Sequence, residues 1–296
     1  MISTATIGNN GQSAVEAIKR CLMTTTHRRV LPGFGLSLGF TTLYLIALIV
    51  VPLVVCLATA ATLSPQEFLK AVGSERAMAA YRVTLLSAFQ AGLICTAIGT
   101  LIAWVLVRYE FPGKRLFDAL VDIPFALPTA VAGLVFSTLY APNGWLGQWL
   151  VPLGIELAYT RGAIVLVMTF IGFPFVVRTL QPILESLDAE VEDAAALLGA
   201  SRFQTFRRVI LPPILPGMIT GFAMAFARAL GEYGSIVFVS SNIPGRSEIA
   251  AVLVVNKLEE FKYAEATAVA VVMLGASFVL LLLINVLERS MRKWDR

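Results

Sequence analysis

Six apolar runs recur along this 296-residue chain, each close to the ~20 residues a helix needs to cross a bilayer's hydrocarbon. They lie at about 38–62, 83–107, 116–140, 161–180, 214–240 and 266–287. Hydrocarbon offers no water to backbone polar groups, so each run must close its own hydrogen bonds as a helix. Composition agrees: 57% of the residues are hydrophobic and 14% charged, where soluble domains carry about a quarter charged. The expected fold is all-α, a polytopic membrane protein of six transmembrane helices. Pro52, Pro124, Pro128 and Pro174 fall inside these runs and should kink them, which membrane bundles tolerate.

Lysine and arginine counts orient the bundle. One side gathers the N-terminal tail, the 108–115 connection, the 188–212 loop with Arg178, and the C-terminal tail, with fifteen basic residues. The other gathers 63–82, 141–160 with Arg161, and 241–265, with seven. The positive-inside bias therefore places both termini and the 188–212 loop in the cytoplasm. It also accounts for the net charge of +4 without nucleic acid as a partner.

The expected divisions are a cytoplasmic tail over 1–37, a first transmembrane helix at 38–62, a main membrane domain at 78–287 and a second tail over 288–296. In the first tail, Ala14, Val15, Ile18 and Leu22 can share one face of a short surface helix, followed by His27, Arg28 and Arg29. No apolar core of signal-peptide length comes before residue 37. Of the outer loops, 141–160 is rich in turn residues and tryptophan, and 241–265 is long and amphipathic. Either suits an external partner or the membrane interface.

The 188–212 loop reads DAEVEDAAALLGASRFQTFRRVILP. Leu187, Val191, Ala194, Ala195 and Leu198 form one helical stripe. Asp188 is placed to cap that helix, with Glu190 and Glu192 in its first turn. Gly199 is suited to stopping it in a left-handed conformation. Ser201 and Gln204 form a capping box for a second helix, which carries Arg207 and Arg208 and should end at Pro212-Pro213. A helix, a glycine break and a second helix between two spans suit docking into a groove on a soluble partner. A solvated amphipathic loop has the same pattern.

Gly217, Gly221, Ala225 and Ala229 recur every fourth residue in the fifth run. Such a small-residue stripe lets another helix approach, in this chain or in a second one. Arg228 and Glu232 stand one turn apart in the same run. An arginine at a span's centre costs about 2.5–3.5 kcal/mol on insertion scales, so it avoids lipid. The two form a neutralising pair or line a route for an oxyanion, where one fixed positive charge guides without trapping. Asp118 and Asp122, at the cytoplasmic end of the third run, are expected to meet basic residues.

What the chain lacks narrows the classes. It has no G-x4-G-K-[S/T] phosphate loop and no Cys/His metal cluster. Its lone histidine is His27, and Cys21, Cys56 and Cys95 have no paired spacing. An ATPase, a metalloenzyme or a histidine-dependent membrane hydrolase would need more than this.

The 188–212 segment resembles the EAA loop of ABC-importer permeases, E-A-A-x3-G-x9-I-x-L-P. Here it reads Asp193-Ala194-Ala195, Gly199, then Val209-Ile210-Leu211-Pro212, with Asp for the Glu and Val for the Ile. The runs DIPFALPTAVAGLVFSTLYAPNGWLG at 122–147, FIGFPFVVRTLQPILESLD at 170–188 and FARALGEYGSIVFVS at 226–240 are similar to the sulfate/thiosulfate importer permeases of the CysT type. The last run is also similar to molybdate permeases. The resemblance covers roughly residues 30–290. It implies a type I importer permease fold whose coupling helix docks on a cytoplasmic ABC ATPase present in two copies. It also implies a second, homologous W-type permease and an external sulfate-binding protein. ATP and magnesium would be used by the ATPase, with no cofactor bound by this chain, in a bacterial inner membrane. Coupling would fall to Asp193, Ala194, Ala195, Gly199, Leu211 and Pro212, and the anion's route to Arg228 and Glu232. Three alternatives stay open: molybdate or tungstate as cargo, a gradient-driven anion transporter, and a structural membrane scaffold.

Overall fold

A computed structural model describes residues 34–292 of the chain, and statements of structure refer to these residues. The amphipathic face expected at Ala14–Leu22 lies outside them, as do His27, Arg28, Arg29 and Cys21.

By its contacts the chain divides into residues up to Val55 and Cys56–Arg296. Helix α1, Phe34–Ala60, carries no charged residue and contains one π-helical turn, Ile46–Val50. Pro52 follows that turn after one residue, Val51. The Val51 N–H bonds to the Ile46 carbonyl, five residues back. This wider turn shifts the hydrogen-bond register just before a residue that has no N–H to give.

The second unit takes in the end of α1 and then α2, Pro65–Val72, opened by a capping box between Ser64 and Glu67. Helix α3, Glu75–Arg108, is the longest. After it come α4 (Lys114–Val121), α5 (Ile123–Ala126), α6 (Thr129–Tyr140) and α7 (Gly147–Leu150). Helix α8 is Arg161–Glu185, α9 is Ala189–Leu197, and α10 is Arg202–Leu230. The short α11 (Ile236–Val239), then α12 (Ala250–Glu259) and α13 (Tyr263–Arg292), complete the chain. One isolated bridge, Tyr159 to Ser240, is the extent of β pairing among the described residues.

Five helices are long and apolar enough to cross a membrane: α1, α3, α8, α10 and the Tyr263–Ser290 part of α13. The third apolar run, expected as a sixth span, is instead three helices, α4, α5 and α6. Leu127, which precedes Pro128, is extended (φ −83°, ψ 124°), the conformation that the steric clash with a following proline ring favours. The turn at Asp122 makes the earlier break. The fifth run also differs from expectation: its helix stops at Leu230, and a turn separates it from α11. Helix α13 continues through Arg292, so the boundary expected at 288 falls within it.

Helices α3, α8 and α10 make the core. Toward the α9 end, Cys95, Ala103 and Leu106 meet Val176, Val177, Leu180 and Leu184, with Ile214 and Ala225 of α10. Toward the other end, Ala88 and Ala91 meet Ile164 and Met168, with Phe226 and Ala229. The small-residue stripe packs within this chain. A Cβ on Gly221 would lie 3.1 Å from Val176 Cα, and one on Gly217 2.3 Å from Ile183 Cδ1. Close approach of this kind supplies dispersion contacts where lipid removes the usual hydrophobic drive.

Ion pairs at each end group the residues as the charge count does. Arg108 pairs with Glu192, and Arg178 with both Asp118 and Asp122. At the other end, Arg76 pairs with the buried Glu248, and Lys257 with Glu265.

Candidate coupling site and intramembrane ion pair

The 188–212 loop folds as two helices around Gly199. Helix α9 ends at Leu197, and Gly199 takes φ +79°. The Gly199 N–H bonds to the Ala196 carbonyl at 2.9 Å, and the Ala200 N–H to the Ala195 carbonyl at 3.0 Å. These two crossed bonds are a Schellman closure, which satisfies helix-end carbonyls and calls for a left-handed residue. Ser201 and Gln204 then form the expected capping box: Gln204 N–H donates to Ser201 Oγ, and Ser201 N–H to Gln204 Oε1. Asp188 occupies the N-cap position of α9 in extended backbone, but its side chain makes no capping hydrogen bond.

Pro212 and Pro213 do not end the second helix. It runs on as α10, because a π-helical turn at Phe206–Ile210 precedes them and the Leu211 N–H reaches back to Phe206. The 188–212 loop is thus continuous with one of the long apolar helices. Leu211 and Pro212 sit at the join, half-buried and exposed respectively.

The stripe read from the loop is covered by its own chain only in part: Leu187 packs against the core. Val191 is 52% exposed and Leu198 88%. Leu197 and Phe203, which the pattern did not single out, are 89% and 70% exposed. Asp193 and Ala194 are exposed, and Ala195 is half-buried. The sequence signal for Leu197 was present: paired leucines just before a helix-ending glycine cannot both turn inward on a short helix. A cleft of about 860 Å³ separates this loop from the end of α3, lined by Leu101, Trp104, Asp193, Ala196 and Phe206 among others.

The loop is fastened at its base. Arg108, the last residue of α3, places Nη2 2.9 Å from Glu192 Oε1 and donates to the Leu187 carbonyl at 3.2 Å. Its guanidinium lies 5.5 Å from the centre of the Trp104 ring. On α8, Arg178 forks onto two carboxylates, Nη1 to Asp118 at 2.7 Å and Nη2 to Asp122 at 2.6 Å. It also donates to the Asp118 carbonyl. The expectation that these two aspartates meet a basic residue holds, and the fork ties α4 and α5 to α8. Separations in sequence of 56–84 residues hid both arrangements from pattern reading.

At the far end of α10, Arg228 Nη1 donates to Glu232 Oε2 at 2.7 Å. Glu232 is 2% exposed and lies beyond the helix end. Its other oxygen accepts from the Ser235 N–H at 3.0 Å and the Ser235 hydroxyl at 2.8 Å. Every oxygen of this buried carboxylate therefore has a partner, as burial demands. The same turn crosses α6 tightly, for a Cβ on Gly133 would fall 2.2 Å from the Ser235 carbonyl oxygen. Arg228 keeps a side chain 31% exposed.

Comparison with known proteins follows the same lines. Residues 95–293 match the family described as binding-protein-dependent transport system inner membrane component. The chain is 48% identical over 281 residues to a probable sulfate transport system permease protein cysT of Nephroselmis olivacea, covering 95% of this chain and 98% of that one. It is 44% identical over 267 residues to the sulfate transport system permease protein CysT of Escherichia coli K12, covering 90% and 96%. Among solved structures, a bacterial ABC transporter for import of the acidic polysaccharide alginate superposes with TM-score 0.73 at 16% identity, covering 94% and 99%. The methionine transporter MetNI, in an inward-facing form, gives 0.53 at 19% identity, covering 73% and 96%. The latter two show the fold, that of an ABC-importer permease. The chain belongs to the binding-protein-dependent transport system inner membrane component family, as a multi-pass membrane permease.

Proposed function

We propose that this chain is a permease subunit of an ATP-driven importer for sulfate, and that it moves the anion inward by alternating access. The observation that carries the cargo is the end-to-end match to relatives named as sulfate transport permeases, at 44–48% identity over nine-tenths or more of each in the two cases above. The reading of coupling rests on the exposed apolar surface of α9 and the start of α10.

On this reading the partner is a cytoplasmic ABC ATPase in two copies, which binds ATP and magnesium and does the hydrolysis. Leu197 and Leu198 enter its cleft. Ala194, Ala195 and Gly199 allow close approach, and Asp193 offers a carboxylate at the rim. When the ATPase dimer closes, the load passes through Leu211 and Pro212 into α10 without crossing a flexible joint. A homologous W-type permease completes the membrane pair, and an external sulfate-binding protein delivers cargo to the opposite face. Both termini and the 188–212 loop are then cytoplasmic, in the inner membrane of a bacterium. Arg228, neutralised by Glu232 yet partly open, is the group we assign to the anion's route. One positive charge already balanced by a carboxylate attracts a dianion weakly, which suits a site that must also let go.

The test is purification of the chain with its partner subunits and measurement of ATP hydrolysis with and without sulfate-loaded binding protein. Stimulation by sulfate, with molybdate unable to replace it, is the expected result. Hydrolysis indifferent to sulfate, or sulfate uptake by this chain alone in liposomes without ATP, would overturn the reading.

A further inference from the structure

The coupling loop is joined covalently to α8 and α10, and the structure adds a third attachment. Helix α9 stands away from the inner end of α3 across the cleft lined by Leu101, Trp104 and Ala196. Arg108, the last residue of α3, joins the two. Its Nη2 meets both Glu192 in the first turn of α9 and the carbonyl of Leu187, just before the helix begins. The Trp104 ring lies alongside the guanidinium. The pair is sheltered, with side chains 18% and 31% exposed. Screening is therefore weaker than for a surface pair; the contact with Glu192 is an ion pair without a hydrogen bond, and the guanidinium's hydrogen bond goes to the Leu187 carbonyl. Helix α3 in turn packs along α8 and α10 through the whole core.

We propose that Arg108 and Glu192 are positioning residues for energy coupling: a latch that makes α3 move with the coupling helix. Without the latch, a displacement of α9 enters the bundle through its two flanking helices alone. Rotation of α9 about its own axis would then be taken up in the cleft rather than passed to the spans. Glu192 serves this role through its attachment to α3, not by touching the ATPase. The proposal rests on the coupling function assigned above to the 188–212 loop.

The experiment uses the assembled importer in proteoliposomes with sulfate-loaded binding protein. Three variants are compared with wild type: Arg108→Glu, Glu192→Arg and the double exchange. Two quantities are read, the ATPase retained on purification and the sulfate moved per ATP hydrolysed. The single variants are expected to retain ATPase within about twofold of wild type but to move at least about fivefold less sulfate per ATP. The double exchange should restore at least half of that ratio. Single variants that transport with wild-type stoichiometry would overturn the latch, as would an exchange that binds ATPase yet recovers nothing. Replacing 188–205 by a Gly-Ser linker is the separate control. If ATPase is still retained, the docking role fails, whatever the exchange shows.

Discussion

Gly199 separates strain inside the chain from contact outside it. Its φ of +79° costs an ordinary L residue about 1–2 kcal/mol. That corresponds to a roughly 5–30-fold shift between two states. A Cβ built there meets no atom within 4 Å, so added bulk has no packing cost within the chain. Gly199→Asn tolerates the left-handed conformation and should resemble wild type. Gly199→Ala should weaken ATPase affinity by up to roughly 5–30-fold, because a smaller fraction of loops holds the bent form. Gly199→Trp carries the same strain and adds a ring on the surface assigned to docking. It should lose ATPase binding and ATP-driven sulfate uptake beyond the alanine variant. The assay is titration of purified ATPase onto the permease in nanodiscs, with uptake measured in parallel. Wild-type binding and uptake in Gly199→Trp would refute the docking assignment. A loss equal to that of alanine would show that strain alone matters and that no partner comes close.

Other expectations follow from packing and charge. Gly133→Ala must displace the Ser235 backbone and should cost about 1–3 kcal/mol as overpacking, read as a lower melting temperature; Gly231→Ala, with open space around it, should leave melting unchanged. Arg228→Ala strands the buried Glu232 carboxylate and should destabilise more than Arg228→Ala with Glu232→Gln, by thermal denaturation. If Arg228 also serves the anion, the double variant folds but takes up less sulfate. The Glu67 carboxylate is held below its ordinary range, first by the Ser64 hydroxyl and then by the Ser64 N–H. Its folded pKa is depressed, so the cap of α2 is complete above the unfolded value near 4.3 and is lost as pH falls through the lower folded value. Hydrogen-exchange protection of residues 65–72 should drop in acid, and Glu67→Gln should flatten that drop.

Local chemistry in this chain was legible and non-local chemistry was not. The Ser201–Gln204 box and the glycine stop at 199 depend on residues within three or four positions, and both form as read. The membrane runs declared themselves by length and apolarity, because a lipid solvent imposes helices. The third run defeated that logic. Apolarity measures what may enter hydrocarbon, whereas Leu127-Pro128 and the turn at Asp122 decide whether one helix can continue. Pro212-Pro213 erred the other way: a proline pair reads as a stop, but the π turn ahead of it re-registers the ladder. The Arg108–Glu192 and Arg178–Asp118–Asp122 pairings depend on where helices meet. No local signal in 188–212 points to an arginine 84 residues earlier.

What touches the tip of the 188–212 loop tests the proposed docking most directly. A photoreactive benzoylphenylalanine in place of Leu198, 88% exposed in the isolated chain, reports this directly in intact membranes containing the assembled importer. We expect one dominant adduct, with the ATP-hydrolysing subunit, lost when Gly199→Trp is introduced. Adducts confined to lipid, to the second permease or to the external binding protein would contradict the central claim.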